Sequence, residues 1–187
     1  MSEAYAAWAA RWRVPLGFVL GIAFIFLSQP TVRFLVAGAI IAFVGLTLRA
    51  YAAGYLEKSR ELAVSGPYHY TRNPLYLGSF FMGLGFAVAA GSWMLGLIFV
   101  GFFILIYVPV MRRERDFLRR QFGEAYDRYA NSASLFFPTF RTSIRVKENC
   151  ASRVKFRWER YRRNHEYEAA IGYLCALVFL VIKLRMR

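Results

Sequence analysis

Long apolar runs, separated by short polar or Gly/Pro interruptions, fill most of this chain, and a helix of about 20 apolar residues crosses the hydrocarbon core of a bilayer. The first run extends from about Val14 to Leu27, prolonged by Trp8 and Trp12 at the height of an interfacial aromatic belt. The second extends from Val32 to about Tyr55, the third from Leu75 to Ala90 and the fourth from Trp93 to Val110. Only Gly91 and Ser92 separate the last two, which predicts a tight antiparallel hairpin. A fifth run, Ala169 to Ile182, is shorter: it either spans with Lys183 snorkelling or lies partly in the interface. The pattern therefore predicts an all-α polytopic membrane protein with about five transmembrane helices.

The polar stretches have a pattern of their own. From Met111 to about Tyr129, Phe117, Leu118, Phe122, Tyr126 and Tyr129 form the apolar set of a helix. Leu135 to Phe140 is a short apolar turn broken by Pro138. From about Ser143, Val146, Cys150, Val154, Trp158 and Tyr161 recur at helical spacing with basic residues on the other face. This segment reads as an amphipathic helix along the membrane, a long helix running into the fifth run, or an arm through which a homodimer forms. Residues 1–140 are thus expected to be a membrane core of four spans plus a cytoplasmic helix. Residues 141–187 add the basic amphipathic helix and the fifth hydrophobic helix.

Composition agrees: 58% hydrophobic and 18% aromatic residues are too many for a soluble domain of this length. The net charge of +14 would suggest nucleic acid in a soluble chain. Here basic and apolar residues occupy separate blocks, so the expected partners are anionic lipid headgroups and no nucleic acid. The 28–31 and 91–92 turns carry no basic residue, whereas the 56–73 loop holds Lys58, Arg60 and Arg72 and residues 111–168 hold fifteen Lys or Arg. Both basic segments, and the N-terminus, are expected in the cytoplasm. A spanning fifth helix would put the C-terminus outside, against which Lys183, Arg185 and Arg187 argue. Arg11 and Arg13 before an apolar stretch resemble a signal peptide, but Ser28-Gln29-Pro30 is a poor cleavage site, so the first helix is expected to be retained. Cys150 and Cys175 make no disulfide framework, and Cys175 reads as a small core residue. Gly38, Gly45, Gly78, Gly83 and Gly85 read as close-packing positions between helices in lipid. Arg49 is nearly alone as an ionisable residue within the spans and sits near a helix end, where it can snorkel. His69 and His165 have no metal-ligand partner in the sequence and read as interfacial residues.

Two segments concentrate candidate chemistry. Ser65 to Gly78 is a Gly- and Pro-punctuated loop with Tyr68, His69, Tyr70, Arg72 and Tyr76 at the mouth of the third span. It grips an amphiphilic ligand, or it is an interfacial aromatic belt with a proline at a helix start. Glu114, about one turn past the fourth span, either binds a ligand ammonium or pairs with Arg113 or Arg115.

Together the two segments resemble the isoprenylcysteine carboxyl methyltransferase and phospholipid methyltransferase superfamily. The residues that carry the likeness are Gly66-Pro67-Tyr68, then Arg72, Pro74, Tyr76 and Gly78, and after one helical hairpin Glu114, Leu118, Phe122-Gly123, Tyr126, Tyr129 and Pro138. It covers about residues 49–138; nothing past residue 141 takes part. Asn73 stands where the superfamily usually has histidine, and Arg115 where it usually has a second glutamate. Asparagine can still hydrogen-bond but cannot act as a base near neutral pH.

The resemblance implies an integral membrane enzyme with a cytoplasmic pocket for S-adenosylmethionine. Tyr68, Asn73, Pro74, Leu75 and Tyr76 match positions around the adenosine and methionine parts of that cofactor. Leu62 and Ala63 match a strand-like approach whose backbone contacts the adenine, and Glu114 matches the carboxylate that holds the ammonium. Arg112 or Arg113 lies near the place of an arginine facing the methyl acceptor, a membrane lipid or prenylated small molecule. No residue is assigned to the chemical step, because methyl displacement from a sulfonium needs positioning more than acid–base groups. An NADPH-dependent membrane reductase of lipids shares a similar motif, but carries Asn after the proline, where Leu75 stands here, and needs more spans. A non-catalytic scaffold or transporter is the third reading.

Overall fold

The structure, a computed structural model, describes residues 3–57, 61–138 and 155–186. Among them the fold is all-α, and the chain is a polytopic integral membrane protein. Helix α1 is Glu3–Leu27, α2 Val32–Ala53, α3 Pro74–Ala89, α4 Trp93–Phe102, α5 Val108–Phe122, α6 Glu124–Ser132, α7 Trp158–Arg163 and α8 Tyr167–Arg185. A 3-10 turn, Gly66–His69, precedes α3. Helices α1, α2, the continuous Trp93–Phe122 rod and α8 are long and apolar enough to cross a membrane, and the sixteen-residue α3 lies against α2.

The closest packing in the molecule is between α2 and α3, and glycine explains it. A Cβ on Gly38 would strike the backbone of Gly85 and Ala89, and one on Gly85 would strike Ala42 and Gly38. Gly45 and Gly78 face each other in the same way further along. With no hydrophobic effect between helices in lipid, such backbone contact supplies the dispersion energy that holds the pair. At one end of the bundle the turn Ser28–Thr31 meets the α3–α4 turn, where Gln29 N–H donates to Ala90 O at 2.6 Å. Gly91 there has φ +64°, a left-handed conformation that glycine adopts without strain.

The rod from Trp93 to Phe122 extends well past the expected limit at Val110. Between α4 and α5 it widens into one π turn, Phe103–Tyr107. Pro109, just beyond, has no N–H to give to the carbonyl of Leu105 four residues back. The Tyr5 hydroxyl of α1 donates to that carbonyl at 3.0 Å instead. Gly123, at φ +53°, then breaks the rod and turns α6 back across the end of the bundle.

Of the two alternatives for the fifth hydrophobic run, the fold supports the span: α8 is long and apolar enough to cross a membrane and runs antiparallel beside α2, Tyr173 Oη donating to Ala39 O at 3.2 Å. Its Lys183 does not snorkel to open water; Nζ donates to Ile25 O at 2.6 Å and to Ser28 Oγ at 3.0 Å, capping the orphan carbonyls at the end of α1. Residue 183 therefore sits at the end of the bundle that carries the 28–31 turn, despite its positive charge. Nor does one long helix run into α8. Arg157 is extended, α7 has six residues, and His165 at φ 54° separates it from α8. The earlier part of the expected amphipathic helix, with Val146, Cys150 and Val154, lies outside the described residues, as do Lys58 and Arg60.

Candidate functional site

At the opposite end of the bundle the two motif segments close on each other through hydrogen bonds. Thr71 Oγ1 donates to Phe136 O at 2.8 Å, Arg72 N–H to Ser134 O at 2.9 Å, and the Asn73 side-chain amide to Leu135 O at 2.8 Å. From α6, Tyr129 Oη donates to Tyr68 O at 2.7 Å. Leu62, Val64, Leu118 and Phe122 pack around buried Tyr126 and Tyr129, fixing α5, α6 and the 62–64 chain as one unit. Asn73 ends the loop and Pro74 opens α3, a position where the missing N–H costs nothing.

The unit encloses a cavity of about 830 Å3, within the roughly 300–1,000 Å3 usual for small-molecule sites. Leu62, Ala63, Tyr68, Asn73, Pro74, Leu75, Tyr76 and Glu114 all line it. Leu62 and Ala63 sit in irregular chain, and the described residues contain no strand, only an isolated bridge between Thr71 and Ser134. Glu114 faces the Tyr76 hydroxyl. Arg112 and Arg113 are exposed on α5 and do not line the cavity; its arginines are Arg13, Arg49, Arg72 and Arg115. The helical period explains the exchange, because Glu114, Leu118 and Phe122 share one stripe of α5 from which residues 112 and 113 point away.

Two polar atoms in this lining are buried without a partner among the described residues: the Tyr68 hydroxyl and Arg72 Nε. Burial above all, then the neighbouring Tyr129, Glu114 and Glu166, pushes the Tyr68 hydroxyl well above its usual ionisation range, so it remains a neutral donor. Burial likewise raises Tyr129.

Sequence reasoning missed part of the wall. Glu57, Glu61, Glu166 and Glu168 line the cavity as well. Arg49 does not snorkel: its Nη2 and Nε donate to the Glu166 carboxylate at 2.8 and 3.0 Å, and its Nη1 bonds Ser79 Oγ. The only available hint was that a lone arginine in a span demands a partner. Among the described residues no group of three or more His, Cys, Asp or Glu could hold a metal ion.

Residues 16–125, which carry the second half of α1 and all of α2 to α5, and hence most of this lining, match the phospholipid methyltransferase family. The chain belongs to that family. Two curated relatives are also similar. NccN of Alcaligenes xylosoxydans xylosoxydans, a nickel-cobalt-cadmium resistance protein, is 38% identical over 103 residues, 54% of this chain and 46% of the relative. CzcN of Cupriavidus metallidurans, a cobalt-zinc-cadmium resistance protein, is 30% identical over 136 residues, 72% of this chain and 55% of the relative. This phospholipid methyltransferase family member thus spans about half the length of the curated relatives it matches. No solved structure gives a significant match.

Proposed function

We propose that this chain transfers a methyl group from S-adenosylmethionine to a membrane-embedded amphiphile, at a cavity on the cytoplasmic side of the membrane. The observation that carries the reading is the charge of the cavity. In a chain of net charge +14, five of the eleven acidic residues line this one chamber. Four arginines share the lining, so five carboxylates against four guanidiniums leave one net negative charge where the chain as a whole is strongly positive. Glu114 and Glu61 stand on a wall that favours a cation over an anion. S-adenosylmethionine carries both a sulfonium and an ammonium, and the cavity volume suits a ligand of that size.

The donor set fits too. Glu114 faces a hydroxyl and can take the ammonium, while Tyr68 Oη and Arg72 Nε are buried donors in need of acceptors. Bound S-adenosylmethionine supplies a methyl group made electrophilic by the adjacent sulfonium. Leu62 and Ala63 offer backbone to its adenine, and residues 73–76 enclose the remainder. Arg13 and Arg115 are the cavity's arginines on α1 and α5, suited to an acceptor's phosphate or carboxylate. The apolar pack of Leu118 and Phe122 keeps water away, which favours attack by a desolvated nucleophile. Exposed Arg112 and Arg113 suit anionic lipid headgroups instead. The cytoplasmic orientation rests on the basic 56–73 and 111–168 segments. The acceptor is an isoprenylcysteine-like carboxylate or a phospholipid amine, and the metal resistance in the relatives' names does not choose between them.

Calorimetry on the detergent-purified protein tests the reading. S-adenosylmethionine should bind and NADPH should not. Glu114→Gln should weaken binding by about 1.5–3 kcal/mol, roughly tenfold to hundredfold, as expected for loss of a charge-assisted bond. Radiolabelled methyl transfer over phospholipids and prenyl compounds then identifies the acceptor. No binding of S-adenosylmethionine, or binding of NADPH in its place, would overturn it.

A further inference from the structure

The family match ends at residue 125, yet the cavity wall does not. Residues 157–168 wrap the end of α2, and every contact is specific. Arg157 N–H donates to Gly54 O at 3.0 Å, and the Asn164 side-chain amide donates to Ala53 O and Leu56 O, both at 3.1 Å. Arg160 pairs with Glu57 at 2.6 Å. The first three bonds cap carbonyls at and just past the end of α2, Ala53 O accepting from Leu56 N–H as well. They also deliver Glu166, whose side chain is only 7% exposed, to the cavity beside Arg49.

The Arg49–Glu166 pair is more than a tie between helices. Removing two charges from water is expensive, and well-packed apolar residues can hold helices together at less cost. What an apolar tie cannot do is set the field inside the cavity. Without Glu166 that wall would present the Arg49 guanidinium and the positive N-terminal end of α8, both repelling a cationic ligand. The carboxylate neutralises the guanidinium, while Glu168 in the first turn of α8 offsets the helix end, and the Glu166 charge is felt at the Tyr68 hydroxyl within the same chamber. Ser79 carries the link onward: it takes the Arg49 Nη1 bond and donates to Leu75 O at 2.9 Å, in the first turn of α3 beside Tyr76.

We propose that Glu166 is a positioning residue of the candidate site: acting through Arg49, it sets the charge and shape of the wall against which a cationic methyl donor sits, so that a segment beyond the family-matched region controls ligand binding. The inference rests on the methyltransferase reading. Its test compares the unaltered full chain with Glu166→Gln, Glu166→Asp and the exchanged pair Arg49→Glu/Glu166→Arg, recording melting temperature in detergent and S-adenosylmethionine affinity by calorimetry. Glu166→Gln should weaken affinity by about tenfold or more, the usual consequence of stranding one buried charge, and Glu166→Asp should recover part of it. The exchanged pair keeps the wall's net charge but sets the guanidinium at the α8 end and the carboxylate on α2, away from the Ser79 link. It should fold, and bind more weakly than the unaltered protein though less weakly than Glu166→Gln. Full affinity in the exchanged pair would reduce Glu166 to a structural tie and overturn the proposal, as would unchanged affinity in Glu166→Gln. Should the exchanged pair fail to fold, equal affinities of the Gln and Asp variants would overturn it. No binding by the unaltered protein would overturn the methyl-donor reading itself, and this inference with it.

Discussion

Tyr68→Phe separates a binding role from a structural one by the sign of its effects. The ring is buried at 6% exposure, and its hydroxyl has no partner among the described residues. Leaving such a group unsatisfied costs about 1–3 kcal/mol. Phenylalanine keeps the ring contacts and discards that cost, and the backbone carbonyl of residue 68 still accepts its bond from Tyr129 Oη. The variant should therefore melt at the same temperature as the unaltered protein or higher. Its affinity for S-adenosylmethionine should fall, because one hydrogen bond net of solvent is worth about 0.5–1.5 kcal/mol, roughly twofold to tenfold. Thermal unfolding and calorimetry on one detergent preparation read both quantities. Tyr129→Phe is the control, since it strands a buried carbonyl and should lower stability by about 1–3 kcal/mol. A Tyr68→Phe protein that melts lower by a similar amount would mean that its hydroxyl has a structural partner. Unchanged affinity would mean that it does not face the ligand.

Glycines at two positions should respond oppositely to Leu. Gly38→Leu drives a side chain into the backbone of α3 and should prevent the α2–α3 pair from forming, read as loss of a monodisperse detergent-solubilised protein. A Cβ at Gly17 meets nothing within 4 Å, so Gly17→Leu should melt normally while its longer side chain crowds the cavity and lowers ligand affinity. Asn73→Ala removes the amide bond to Leu135 O and should cost about 1 kcal/mol in stability; Asn73→His, which can donate the same bond, should recover it in the same melting assay. At alkaline pH the sign is fixed by burial. Tyr68 and Tyr129 keep their protons in the folded state above their unfolded pKa of about 10, so unfolding releases protons there and stability falls as pH rises past that value. Melting temperature between pH 8 and 11 should show this decline, shallower in Tyr68→Phe.

What was legible in the sequence is what local pattern can carry. Apolar run lengths marked the spans, and Gly38, Gly45, Gly78 and Gly85 announced close helix packing because only size decides it. The Pro-Tyr and Glu-Leu-Phe-Gly-Tyr motifs marked one chamber because both flank the same hairpin. What stayed hidden depends on contacts with no local signature. Arg49 and Glu166 are 117 residues apart, and each alone reads as an interfacial charge. Arg13 enters the site because α1 leans on α5, which the periodicity of neither helix foretells. The extension of the fourth span to Phe122 was missed because its charged second half was read as a separate helix; backbone hydrogen bonding continues past the change from apolar to polar residues.

That continuous rod, π turn and all, also works as a ruler. Its apolar half is gripped at Phe103 by aromatic partners from other elements at fixed depth in the bundle, Phe80 of α3 and Phe136 beyond α6. Glu114 lies eleven residues further on, roughly 15 Å along the rod with the π turn included. The height of the carboxylate above the lipid-embedded aromatics is therefore a property of chain length, not of any loop. One residue inserted between them would raise Glu114 by about 1.5 Å and swing it through about 100°, off the stripe that faces Tyr76. Among homologues of this architecture, insertions should collect in the turns and spare this interval.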